Sequence, residues 1–181
     1  MCGIAGAIGH FESLNTDAML DALSHRGPDD QGQEHSPDRS GAFCWLGHRR
    51  LAIIDPTPTG HQPMSAGADR YRIVFNGEIY NFREIANSLS GFRPRTNSDT
   101  EVLLELLIRN GKAGLERIRG MFALAFWDAK EGALLLARDR MGEKPLYYYE
   151  DGHRLLFASE VRALLASGAV QREMDSDGLD S

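Results

Sequence analysis

The sequence predicts an α+β fold in which helices pack on antiparallel sheet. Three observations predict it: apolar strand pairs joined by tight polar turns, short amphipathic helical segments between them, and no internal repeat or low-complexity block. The 181 residues suffice for one sizeable core, and 42% apolar with 25% charged residues is ordinary for a globular chain.

Taken in order, "CGIAGAI" is short, apolar and glycine-rich, which predicts a strand lying close against other backbone. "TDAMLDALSH" sets Met19, Leu20 and Leu23 at helical spacing. "HRGPDDQG" is dense in turn formers and carries both charges, so it reads as a loop. "GAFCWLGHRRLAIID" reads as a long strand or strand pair, ended by "PTPTG". "YRIVFNGEIYN" is a further strand, read as ending at an Asn76-Gly77 turn, and "FREIANSL" is a short helix. "SDTEVLLELLIRNG" carries helix boundaries: Ser98 and Glu101 have capping-box spacing, and Gly111 stands at the far end. "MFALAFWDAKEGALLLARD" reads as two strands about a polar turn, and "LYYYEDGHRLLFASE" repeats the pattern with Asp151-Gly152 at the bend. "EVRALLASG" predicts a closing helix, and "QREMDSDGLDS" a polar tail.

Charge and composition remove several functions. A net charge of −6 argues against a surface that tracks nucleic-acid phosphates. No stretch has the apolar length of a membrane span, and the apolar start lacks the basic region and cleavage site of a signal peptide. Cys2 and Cys44 form no CxxC or other ligand pairing, which argues against a disulfide framework and a thiolate metal site and makes the cytoplasm the default compartment. His10, His25, His35, His48, His61 and His153 lack metal-ligand spacing and read as structural or surface groups. Cys44 reads as a core thiol and Tyr147, Tyr148 and Tyr149 as strand packing.

Four features carry chemistry. Methionine before a small second residue is commonly trimmed, which would leave the Cys2 thiol and a free α-amine on one residue. Such an amine has a pKa of about 7.7–8.0 and a cysteine a few per cent of thiolate at pH 7, so nucleophile and base coincide. Asn76 and Gly77 read as an ordinary hairpin turn or as an oxyanion hole, from a side-chain amide and a backbone N–H. Arg50, ending an apolar strand, suits a bidentate grip on a carboxylate or a surface salt bridge. Asp99, in the first turn of the capped helix, complements the helix dipole or holds an ammonium group. Together these groups suit an α-amino acid with a carbonyl in its side chain, such as glutamine. His25 and Arg26 read as fixing the pocket wall.

The motifs "MCGIAG", "HRGPDDQG", "HRRLAIID", "NGEIYNFRE", "TNSDTEVLL", "GMFALAFWD" and "ARDRMGEKPLYY" run in order from Cys2 to about Ala166. In this the chain resembles the N-terminal glutaminase domain of class II glutamine amidotransferases, above all the glutamine-hydrolysing asparagine synthetase family. The resemblance implies an N-terminal-nucleophile hydrolase fold, a four-layer sandwich of two antiparallel sheets between helix layers. It implies Cys2 as nucleophile, Asn76 and Gly77 as oxyanion hole, and Arg50 and Asp99 as holders of the glutamine carboxylate and amine. Leu51, Ala52, Ile53 and Ile54, by their backbone, and Glu78 would line the same pocket.

On this reading residues 1–168 are the amidotransferase domain, and 169–181 are a polar tail beginning a linker to a synthetase domain absent from the chain. That domain would use ATP and Mg to amidate aspartate, whereas the glutaminase half needs no metal or organic cofactor. The expected partners are glutamine and a synthetase domain or separate subunit, with a homodimer left open. The competing reading is a catalytically silent domain that docks to, or regulates, a synthetase-like partner.

Overall fold

The computed structural model describes residues 1–11, 13–37, 43–55 and 57–172. In chain order the elements begin with β1 (Gly3–Gly9), α1 (Thr16–Asp21), β2 (Asp30–Pro37), β3 (Phe43–Arg50), β4 (Met64–Ala66) and β5 (Tyr71–Ile79). They continue with α2 (Phe82–Ser88), α3 (Asp99–Asn110), β6 (Gly120–Asp128), β7 (Ala133–Arg138), β8 (Tyr147–Glu150), β9 (Arg154–Ala158) and α4 (Val161–Ala166). The strands form two antiparallel sheets, ordered β2-β3-β1-β9-β8 and β4-β5-β6-β7.

Side chains alternate across a strand, and here both faces of each central strand are apolar. On β6, Ala123, Ala125 and Trp127 meet Ile4, Cys44, Leu46, Val74 and Phe157 from the other elements in a core between the sheets. The alternate residues Phe122, Leu124 and Phe126 pack outward with Leu103, Leu106 and Leu107 of α3 and Ile85 of α2. Ala5, Ala7, Trp45, Leu156 and Ala158 pack on the opposite outer face against Met19 and Leu20 of α1 and Ala163 and Leu164 of α4. Three cores between four layers follow: helices, sheet, sheet, helices. The α+β class read from the sequence pattern, and the four-layer sandwich that the family resemblance implies, are the architecture observed.

The glycines of β1 have a steric role. A Cβ on Gly6 would lie 2.2 Å from the Phe157 ring, so that ring crosses β1 only because the position is bare.

Several local readings differ from the structure. Of "HRGPDDQG", read as a loop, residues 30–32 instead begin strand β2, an edge strand whose polar sequence is held by pairing with β3, Gln31 against Arg49 and Gln33 against Gly47. β3 stops at Arg50, and 51–54 form a connecting loop rather than continuing the strand. Asn76 and Gly77 are no turn: β5 runs through them to Ile79, opposite Ala123 and Phe122. Only half of the capping box forms. The Ser98 side chain accepts from Thr100 N–H, but Glu101 turns back to accept from the Arg95 and Thr96 N–H groups. Tyr147 and Tyr148 are both exposed on the edge strand β8, so the tyrosine run does not alternate between core and surface. Ala169 and Val170 pack against the α1/α4 core, and residues 173–181 of the expected tail lie outside the described residues.

Candidate active site

The two-residue period of the strands decides which groups meet. Cys2 precedes Ile4, Asn76 follows Val74, and Arg50 follows Leu46 and His48, each in step with residues of the core between the sheets. All three come to the same end of that core, where the apolar contacts give way to a small cavity of about 100 Å³. Cys2, Arg50, Asn76, Gly77, Glu78 and Asp99 line it.

Cys2 is partly buried at the head of β1. Its Sγ accepts from the Leu51 N–H at 3.4 Å and donates toward the Leu51 carbonyl at 3.6 Å, which ties the thiol to the loop after β3. Its carbonyl accepts from Arg26 Nε at 2.9 Å, and Glu160 holds that guanidinium at 2.9 Å. Burial pushes the thiol pKa up, while the Leu51 N–H, the chain's amino terminus, Arg50 and Arg26 pull against it.

Asn76 is 1% exposed, and its Nδ2 has no hydrogen-bond partner among the described residues. A buried amide N–H left unmatched costs about 1–3 kcal/mol, so an N–H₂ kept in this state on a cavity wall is a donor held for something absent. Gly77 is required beside it: a Cβ there would lie 2.3 Å from the Met121 carbonyl oxygen of β6. The bare position lets the two backbones close on each other where the cavity begins.

Arg50 is almost wholly buried, with Nη1 donating to the Thr57 carbonyl at 2.9 Å and Nη2 to the Asp55 carbonyl. The Asp55 carboxylate folds the turn that presents those carbonyls, accepting from Thr57, Thr59 and Asn97, and the same bonds hold its pKa below the ordinary range. Gly60 completes the cradle, since a Cβ there would sit 2.0 Å from Arg50 Nη2. The guanidinium is therefore preset in orientation before any ligand arrives.

Asp99 begins α3 and is 3% exposed, with Oδ2 accepting from Ile79 N–H at 2.9 Å. Burial raises its pKa to about 6, the Glu78 carboxylate adds to the rise, and the Ile79 and Thr100 N–H groups oppose it. A cation placed against Asp99 would relieve that penalty. A thiol, an orphaned amide donor, an oriented guanidinium and a destabilised carboxylate thus surround one cavity.

Residues 1–181 match the sequence family described as a glutamine amidotransferase domain. The chain belongs to that family. It is similar to asparagine synthetase [glutamine-hydrolyzing] 3 of Bacillus subtilis, 38% identical over 99% of this chain and 30% of the relative. It is similar also to a putative asparagine synthetase [glutamine-hydrolyzing] 2 of Methanocaldococcus jannaschii, 37% identical over 96% of this chain and 36% of the relative. The chain thus spans about a third of those relatives' length. In fold it resembles the glutamine phosphoribosylpyrophosphate amidotransferase of B. subtilis, with a TM-score of 0.75 and 24% identity over 92% of this chain and 44% of that one. The two chains share the α+β fold of two antiparallel sheets with helices packed on them.

Among the amidotransferase residues singled out from sequence, Leu51, Ile53 and Ile54 also line the cavity. Ala52 does not; its N–H donates to the Asp29 carboxylate at 2.9 Å and ties down the loop. Ser98, Thr100, Met121 and Lys144 line the wall without having been singled out. Arg26, read as part of the pocket wall, acts more directly, through its bond to the Cys2 carbonyl.

Proposed function

We propose that this domain hydrolyses the side-chain amide of glutamine to glutamate and ammonia, with Cys2 as nucleophile once Met1 has been removed. The observation that carries the reading is the buried, unpartnered Nδ2 of Asn76 on the cavity that Cys2 lines. An acyl-transfer site needs such a donor where negative charge develops on the attacked oxygen.

In the proposed reaction the glutamine carboxylate meets Arg50 and its ammonium meets Asp99. The Cys2 α-amine takes the thiol proton as sulfur attacks the amide carbon, and Asn76 Nδ2 with the Gly77 N–H receives the oxyanion. The amine then returns the proton to the leaving nitrogen, ammonia departs, and a γ-glutamyl thioester remains. Water, deprotonated by the amine, attacks the thioester carbon and releases glutamate, and the proton returns to the thiolate. Every proton step uses the chain's own groups.

The ammonia is proposed to serve an ATP-dependent amidation of aspartate by a synthetase domain, linked or separate, as the identity with the two asparagine synthetases supports. Residues 1–168 would be the catalytic unit and 169–181 the beginning of a linker. No helix among the described residues is long and apolar enough to cross a membrane, and neither Cys2 nor Cys44 is in a disulfide. A reduced nucleophile suits the cytoplasm, the compartment proposed.

The test is glutamate release from glutamine by the purified chain beside Cys2→Ala. Turnover in the parent and none in a folded Cys2→Ala supports the proposal. Equal turnover in both overturns it.

A further inference from the structure

The loop between β7 and β8 brings a charge to the cavity that the proposed reaction has not used. Asp139, 8% exposed, gives its whole carboxylate to backbone: Oδ1 accepts from the Met141 and Glu143 N–H groups at 3.1 and 3.0 Å. Its Oδ2 accepts from Phe122 and Lys144 N–H at 3.1 and 3.0 Å. These bonds fix the loop on the end of β6 and hold the Asp139 pKa below the ordinary carboxylate range.

What the loop presents is Lys144, itself 8% exposed and on the wall that Cys2, Asn76 and Glu78 share. Among the described residues its Nζ makes one contact, with Met1 Sδ at 3.5 Å, and no carboxylate stands within ion-pair distance. The Asp139 carboxylate is spent on N–H groups, and Glu143, next to Lys144 along the loop, forms no ion pair with it among the described residues. A buried ammonium without a counter-ion costs stability, and a thioether compensates little of it. Removing Met1 takes away that one contact and creates a new α-amine on Cys2, a residue that lines the same cavity as the lysine.

We propose that Lys144 is a positioning residue of this site: its ammonium disfavours a second positive charge on the Cys2 α-amine and so keeps that amine a free base near neutral pH. This rests on the glutamine-hydrolysis reading, in which the amine carries the protons. Other charges face the same point. Arg26 comes from the turn at Ser24–Arg26 but is matched by Glu160 at the start of α4, which His25 and Arg162 also meet. Asp55 is taken up by Thr57, Thr59 and Asn97. Arg50 of β3 donates to the Thr57 and Asp55 carbonyls, while Glu78 of β5 and Asp99 of α3, on the same cavity, are two anions that would raise the amine's pKa. Lys144 is the cation that opposes them from the Cys2 side.

The experiment uses the processed chain with ¹³C-labelled cysteine. Cys2 and Cys44 are the two cysteines of the sequence, so the Cys2 Cα signal is readily assigned and follows the amine titration. The amine of the parent chain should titrate below the ordinary ~7.7–8.0. Lys144→Gln, or Lys144→Met as the neutral variant that best keeps the stem, should raise that value by about one pH unit. Lys144→Arg should leave it near the parent's. The acid limb of kcat/KM should move by the same amount, a shift that a role in packing alone would not produce. An amine pKa unmoved by either neutral variant, an ordinary value in the parent, or a purified chain that keeps Met1 overturns the proposal. A parent chain inactive on glutamine would defeat the hydrolysis reading, while the carbon titration still decides the role of Lys144.

Discussion

Replacing Asp99 with asparagine should make the folded domain more stable at neutral pH while removing its hold on substrate. The carboxylate is 3% exposed and its pKa is raised from 3.8 to about 6, chiefly by burial. A group with a raised acid pKa binds more protons folded than unfolded between those two values, so its contribution to stability falls as pH rises through that window. Above pH 6 the ionised Asp99 therefore weighs against the fold by roughly 3 kcal/mol. Asparagine keeps an oxygen to accept the Ile79 N–H and carries no charge to desolvate. Urea unfolding of parent and Asp99→Asn at pH 4, 5.5 and 7.5 measures the difference. The variant's advantage should be near zero at pH 4 and reach about 2–3 kcal/mol at pH 7.5, while its KM for glutamine rises at least tenfold. An advantage that does not change with pH, or a variant less stable than the parent at pH 7.5, would refute the claim that Asp99 is a buried charge awaiting a cation.

Other perturbations have equally definite outcomes. Asn76→Ala should lower kcat by about 10²–10³-fold with a folded spectrum retained, read by glutamate release, because it deletes the orphaned donor. Gly77→Ala places a Cβ 2.3 Å from the Met121 carbonyl oxygen and 2.8 Å from Phe122 Cα, so urea titration should show a loss of about 1–3 kcal/mol. Gly60→Ala, crowding Arg50 Nη2, should raise KM more than it lowers kcat in steady-state kinetics. Leu106→Ala, at a fully buried position of the outer core, should cost about 2–5 kcal/mol by the same unfolding assay.

How much of this was legible in the chain depended on whether the deciding interaction was local. Ser98 and Gly111 mark α3 because the groups they satisfy lie within a turn or so of each, and both ends were placed from sequence. The hairpin at Asp151-Gly152 was legible for the same reason. Strand β2 was hidden because its polar residues gain their order from β3, a partner that local pattern does not reveal. Asn76-Gly77 carries a turn signature, yet the glycine there answers the close approach of Met121 and Phe122, far along the chain. Glu101 has capping-box spacing, but the preceding loop offers it N–H groups at Arg95 and Thr96 that compete with the helix end.

The cavity shows the same division. Arg50, Asn76 and Asp99 each suit an ordinary local role and stood out only in combination with Cys2 and within the motifs that the family resemblance supplied. The bond from Arg26 to Cys2 crosses 24 residues, and the contact from Lys144 to Met1 crosses 143, so no spacing rule connects either pair. In the sequence Lys144 is a lysine in a loop. Its significance appears only where Asp139 is seen to be spent on backbone and the ammonium is left on the wall of the cavity.

The central claim is that the sulfur of Cys2, on a residue with a free amine, attacks the substrate's amide carbon. Mass spectrometry of the chain treated with a glutamine analogue bearing an electrophilic ketone in place of the amide tests it most directly. One equivalent of label should appear on a peptide that begins at Cys2, with labelling suppressed by glutamine. Label on Cys44, or a chain that turns glutamine over while Met1 still precedes Cys2, would contradict it.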